Sequence, residues 1–75
     1  MNKKIDYLEE AMAQVKLANE SDIQADYYDE QGEPENAAPH RRITAYHTNQ
    51  AKMLALVAIA DELRKMNANL GVLAW

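Results

Sequence analysis

Residues 53–66 read MLALVAIADELRKM and predict the main helix of the chain. Large apolar side chains recur here and beyond at alternating intervals of three and four, at Leu56, Ile59, Leu63, Met66, Leu70 and Leu73. This spacing places them along one side of a helix, as in the seam of a coiled coil. A second apolar side runs through the middle of the same helix, at Met53, Leu54, Val57 and Ala60. A helix that is apolar on most sides must be covered on most sides, which one partner helix cannot do.

This second helix is predicted over about residues 40–70. Pro39 suits the first turn, where its missing N–H needs no partner. Gly71 followed by Val72 is typical of a helix end in which Val72 would contact Met66. Residues 71–75 then form an apolar tail that ends at Trp75, and we expect this tail to pack against another subunit together with the Leu56–Leu73 seam.

A first helix is predicted over about residues 3–28, with one apolar stripe formed by Ile5, Leu8, Met12 and Val15. The stripe then loses phase, because Asn19 and Asp22 occupy its next two positions. Residues 21–24, SDIQ, have the spacing of a capping box. The helix therefore either breaks at Asn19 and restarts, or runs unbroken to about Asp29.

The connection over residues 29–39 reads DEQGEPENAAP. Gly32, Pro34 and Pro39 oppose a long helix through it, and it has no bulky apolar residue to bury. We predict an acidic loop here.

The 75 residues include no cysteine and no phenylalanine and carry a net charge of −4. A single domain this small is usually stabilised by disulfides, a metal or oligomerisation, and the absence of cysteine leaves self-association as the expectation. We therefore predict an all-α protein, a two-helix hairpin that assembles into a homo-oligomeric bundle, as a dimer or a higher oligomer.

The start MNKK resembles that of a signal peptide, but Asp6, Glu9 and Glu10 interrupt the apolar core that such a peptide needs. The longest apolar run, residues 53–60, is too short to span a membrane. We expect a cytoplasmic protein without a cofactor. The negative net charge argues against binding to duplex nucleic acid.

Charge is segregated along the middle of the chain. Residues 20–35 carry only acids, at Glu20, Asp22, Asp26, Asp29, Glu30, Glu33 and Glu35. Residues 36–60 carry only cations and histidines, at His40, Arg41, Arg42, His47 and Lys52. A chain reversal at the change of sign would place an acidic segment beside a basic one, either as self-neutralisation or as the frame of an anion site.

The candidate ligand site comprises His40, Arg41, Arg42, Tyr46 and His47. If the helix begins near Pro39, its free N–H groups and the two arginines would hold a phosphate or carboxylate, and Tyr46 or His47 could stack on a base. The alternative is that both arginines pair with Asp26, Asp29, Glu30 or Glu33 across the turn and that Tyr46 packs in the core.

A second candidate is a partner-binding patch formed by Asp26, Tyr27, Tyr28, Asp29 and Glu30. Acids with exposed tyrosines suit the basic surface of another protein. The alternative places one tyrosine inward and the other on the surface.

Catalytic and metal sites find little support. Ser21, the sole serine, suits a helix cap better than a nucleophile, and the neighbouring acids Glu9/Glu10 and Asp61/Glu62 point in different directions. His40 and His47 lie two helical turns apart, too far to share one metal ion. We predict a non-enzymatic protein without a metal.

By type, as a short, acidic, cysteine-free helical hairpin with an apolar C-terminal helix, the chain resembles small accessory proteins of bacteriophages and mobile elements. That class includes acidic anti-CRISPR proteins and helical hairpins that sequester cyclic nucleotides. The resemblance implies antagonism of a host defence, with residues 39–42 as the ligand-facing turn. The expectations are therefore an anionic or nucleotide-like ligand at Arg41/Arg42, or an acidic module that binds a host protein, or a purely structural assembly protein.

Overall fold

The computed structural model describes residues 5–70, apart from the side chain of Leu70, and this part of the chain forms two antiparallel helices. Helix α1 spans Tyr7–Glu30 and helix α2 spans Pro34–Leu70. The pair forms a flat layer of 61 × 30 × 13 Å. The described residues contain no strand, which confirms the all-α hairpin. We call the end with the turn at residues 31–33 the closed end and the opposite end the open end.

Helix α1 starts at a capped N-terminus and continues without a break. The carboxylate of Asp6 accepts a hydrogen bond from the backbone N–H of Glu9 at 3.1 Å, and its carbonyl accepts from the N–H of Glu10 at 3.0 Å. The helix then passes Asn19 and Ser21, so the unbroken alternative is the correct one and the SDIQ segment caps nothing. The predicted start at residue 3 lies outside the described residues.

Helix α1 ends in a Schellman motif centred on Gly32. The N–H of Gly32 donates to the carbonyl of Asp29 at 3.0 Å, and that of Glu33 donates to the carbonyl of Tyr28 at 2.9 Å. Gly32 has φ of +74°, a left-handed conformation that glycine adopts without strain. Such an end had been expected at Gly71–Val72, which lies outside the described residues.

Helix α2 begins at Pro34, so the predicted acidic loop over residues 29–39 is wrong and the connection is a three-residue turn. Proline at the first helical position loses no hydrogen bond, because the N–H of that position has no partner in any helix. The side-chain amide of Asn36 also donates to the carboxylate of Glu33 at 2.7 Å and stabilises the first turn. Pro39, predicted for the first turn, lies in the second.

The contact between the helices is built from small side chains. The buried apolar residues of the described chain are all alanines: Ala11, Ala18, Ala25, Ala37 and Ala51. Three of them recur every seven residues along α1, as one position of a coiled-coil seam does. Because alanine occupies little space, this seam holds the helices together while burying little apolar surface.

Most of the large apolar side chains that the structure describes lie outside the seam. Fifteen of them are 40–66% exposed in the single chain, namely Ile5, Leu8, Met12, Val15, Leu17, Ile23, Tyr27, Ile43, Tyr46, Met53, Leu56, Val57, Ile59, Leu63 and Met66. Four predicted interface residues are in this set, whereas the side chain of Leu70 and residues Leu73 and Trp75 lie outside the described part.

Within the described part, neither helix has a segment that is both long and apolar enough to cross a bilayer.

Candidate interaction surfaces

Arg41 joins the two helices near the closed end. Its guanidinium donates to Asp29 and lies 3.4 Å from a carboxylate oxygen of Asp26 and 3.7 Å from one of Asp22. The three aspartates follow one another at intervals of four and three residues, so they share one face of α1. We call these four residues the Arg41 cluster. Self-neutralisation across the turn, one of the two sequence interpretations, therefore holds for Arg41.

The Arg41 cluster contains three aspartates and only one arginine, so it remains acidic. The hydrogen bond from Arg41 to Asp29 is the main reason why the pKa of the guanidinium is raised above its ordinary value. A base whose pKa rises on folding loses its contribution to stability only as the pH climbs towards the folded-state value. That range lies far above neutrality, so the arginine stays charged under ordinary conditions, and salt weakens such exposed pairs by screening.

Of the other predicted ligand residues, His40, Tyr46 and His47 make contacts away from the Arg41 cluster. His40 stacks on Tyr28 of α1, with ring centroids 5.4 Å apart, and His47 Nδ1 lies 2.6 Å from the side-chain oxygen of Gln14. Tyr46 meets the ring of His47 edge to face at 5.1 Å and stays exposed, not packed in the core. Arg42 is exposed and makes no ion pair with the residues that the structure describes.

A helix N-terminus does not support this candidate ligand site. Because α2 begins at Pro34, residues 40–42 lie in its second and third turns, where backbone N–H groups bond within the helix. The free N–H groups that an anion would use belong to the turn before them. His40 and His47 also face α1, so the described geometry does not bring the five side chains to one point.

The tyrosines of the predicted partner-binding patch follow the alternative interpretation. Tyr28 is half-buried against His40, while Tyr27 is exposed and contacts Tyr28 edge to face at 5.3 Å. Asp26 and Asp29 belong to the Arg41 cluster, and Glu30 is exposed beside the turn. The closed end therefore offers acids and one free aromatic ring.

A polar seam that the sequence interpretation missed lies between the buried alanines. The hydroxyl of Thr44 donates to the carbonyl of His40 at 3.0 Å and lies 3.5 Å from that of Ala18 on the other helix. With the pair of Gln14 and His47, it gives the hairpin polar as well as apolar contacts. In the sequence, the seven-residue spacing of Ala11, Ala18 and Ala25 could have identified the face of α1 that contacts α2 and therefore this seam.

An apolar groove runs along the open half of the same face as the Arg41 cluster. Its walls include Leu8, Met12, Val15, Ile59 and Leu63, and alanines from both helices line its floor. We call this surface the open-end face. At its margin Lys65 lies 3.4 Å from both Asp61 and Glu62, and the hydrogen bond to Asp61 is the main cause that raises the pKa of Lys65.

Within residues 5–70 no three His, Asp or Glu side chains come together in a way that could hold a metal ion. The contacts described above leave two contrasting surfaces, an acidic closed end and an apolar open-end face.

The two adjacent arginines provide a matched test of the Arg41 cluster. We expect Arg41→Gln to lower the thermal unfolding midpoint, because it leaves three aspartates close together without their shared cation. Arg42→Gln should change the midpoint little, since residue 42 is turned by about 100° around the helix. Circular dichroism melts of both variants at fixed protein concentration would measure this, and the difference should shrink in about 1 M salt. Equal midpoints at low salt would contradict a stabilising role for the cluster.

No protein-family model, curated protein or solved structure matches this chain.

Proposed function

We propose that this chain is a non-enzymatic binding protein that works as a homo-oligomeric helical bundle and contacts a basic surface of another protein through its closed end. The observation that supports the assembly is the placement of the apolar residues. The helices contact each other through alanines, while large side chains such as Leu56 and Ile59 face outward. Exposed apolar surface of this extent is typical of proteins that bind through it.

The assembly part of the proposal follows from the energetics of the hairpin. No large side chain of the described chain is fully buried. Burying a leucine or isoleucine stabilises a fold by about 1.5–3 kcal/mol, whereas an alanine contributes about one methyl group. Because ordering each residue costs about 1–2 kcal/mol, an alanine seam alone supplies too little to offset that cost. Further copies of the chain would supply the missing burial.

The partner-binding part rests on the charge of the closed end. Residues 19–49 carry seven carboxylates and two arginines, and one of these arginines is engaged by three of the aspartates. Glu20, Glu30 and Glu35 are exposed, as is Tyr27. Acids around an aromatic side chain complement a lysine- or arginine-rich protein surface and would steer it into contact.

The ligand site at Arg41/Arg42 receives less support from this geometry. Arg41 already donates to Asp29, and the surrounding carboxylates would repel a phosphate or nucleotide. The resemblance implies antagonism of a host defence. In this proposal the acidic closed end would act by binding to a basic surface of a host protein.

Paired charge-neutralising variants test the partner-binding part. Glu20→Gln with Glu30→Gln removes two exposed acids from the closed end without touching the Arg41 cluster. Glu9→Gln with Glu10→Gln removes the same charge near the open end and serves as the control. We expect the closed-end variant, immobilised and exposed to cell extract, to lose specific proteins that the control retains, as quantified by mass spectrometry. Equal retention by both variants would contradict a role for the closed end.

A further inference from the structure

We infer that a second copy of this chain docks on the open-end face, so that two hairpins overlap at their open halves and their acidic closed ends point away from each other. This inference rests on the proposed oligomer and assigns its interface.

The open-end face has the shape that receives a helix. Leu8 and Met12 on α1 and Ile59 and Leu63 on α2 are each more than half exposed. Between them lies a floor of small side chains that includes Ala55. Ridges of large residues beside a floor of small ones allow the side chains of an incoming helix to interdigitate.

The different lengths of the helices point to a second copy as the occupant. Helix α2 has 37 residues and α1 has 24, which corresponds to about 55 and about 36 Å. Since the start of α1 lies beside Asp61, the last turns of α2 extend beyond it. Within residues 5–70 no other segment covers Met66 there, and residues 62–69 are all exposed. The corresponding helix of a second copy can cover them by a self-complementary, two-fold contact.

The charge distribution favours an arrangement in which two copies contact each other through the open halves of their hairpins. Residues 5–18 and 50–70 carry five carboxylates and four cations, a nearly balanced surface. Residues 19–49 carry seven carboxylates and two arginines. Because like charges repel, two copies that join through their open halves avoid placing two acidic ends together.

Two leucines of α1 provide the matched experiment. Leu8→Glu places a charge on the open-end face, whereas Leu17→Glu makes the same change in a different groove, beside His40 and His47. In sedimentation velocity we expect Leu8→Glu to shift the boundary to monomer or to unfolded chain, and Leu17→Glu to keep the mass of the unmodified protein. Loss of assembly in Leu17→Glu alone would overturn the inference and leave the proposed oligomer intact. A folded, monomeric unmodified chain would overturn both.

Spin labels decide the arrangement even if Leu8→Glu fails to fold. The chain has no cysteine, so Glu9→Cys and Gln31→Cys each introduce one labelling site on an exposed position. Double electron–electron resonance measures the distance between the labels on two copies. This distance should be shorter for labels at residue 9 than for labels at residue 31. The reverse order would overturn the inference.

Discussion

Dilution is expected to abolish most of the helicity of this protein. The described hairpin buries alanines and leaves most of its leucines, isoleucines and methionines exposed, so we expect its fold to depend on contacts between copies. Most of the stability of a helix in a protein comes from packing of its apolar face, and an alanine seam supplies little of that packing. When copies separate, we therefore expect the chain to unfold.

Circular dichroism at 222 nm over about a thousandfold range of protein concentration would measure this loss. Thermal melts provide the control, because the unfolding midpoint of an obligate oligomer rises with concentration whereas that of a monomer does not. A cooperative melt with the same midpoint at every concentration would contradict the dependence of the fold on assembly.

Ala25→Leu is expected to destabilise the hairpin strongly. Ala25 has 0% exposure and lies in the seam between α1 and α2. A leucine adds three carbon atoms where no space exists, so the helices must separate or the side chain must adopt a strained rotamer. Overpacking of this kind costs about 1–3 kcal/mol and at times more. Urea unfolding at fixed protein concentration would measure the change in midpoint.

Ala13→Leu is the matched control, since Ala13 is exposed on the same helix. We expect its free energy of unfolding to change by less than about 0.5 kcal/mol, as is usual for surface substitutions. If Ala25→Leu instead stabilised the protein while Ala13→Leu did not, the alanine seam would not be the close contact described above.

The periodic apolar residues predicted the helices but not the contact between them. The spacing of Leu56, Ile59, Leu63 and Met66 predicted most of α2 correctly. The same residues lie on the outer surface of the hairpin. Hydrophobic spacing identifies an apolar face of a helix but does not specify what covers it. Ala11, Ala18 and Ala25 form the inner face of α1, and alanine is too weakly hydrophobic to mark a core by composition alone.

The turn was misjudged because proline has two structural meanings. Pro34 was interpreted as a helix breaker, but it occupies the first position of α2, two residues after Gly32, the centre of the Schellman motif that ends α1. This moves the N-terminus of α2 away from His40, and with it the free N–H groups of the predicted anion site. Local sequence alone does not distinguish a proline that ends a helix from one that begins the next.

Charge segregation predicted that an arginine would pair across the turn but not which one. Arg41 and Arg42 are equivalent in the sequence. The length of the turn sets the rotation of α2 and thereby directs Arg41 to the stripe formed by Asp22, Asp26 and Asp29. The stripe itself continues the spacing of Leu8, Met12 and Val15, so the apparent loss of phase after Val15 marks a change from an apolar to an acidic surface on one continuous face.

Sedimentation equilibrium would show directly whether this hairpin is a subunit of a homo-oligomer. We expect a species at a multiple of 8.5 kDa, twice that mass for the inferred dimer, with helicity that persists only while the species is assembled. A helical species that sediments as a single 8.5 kDa chain at all concentrations would contradict the proposed oligomer.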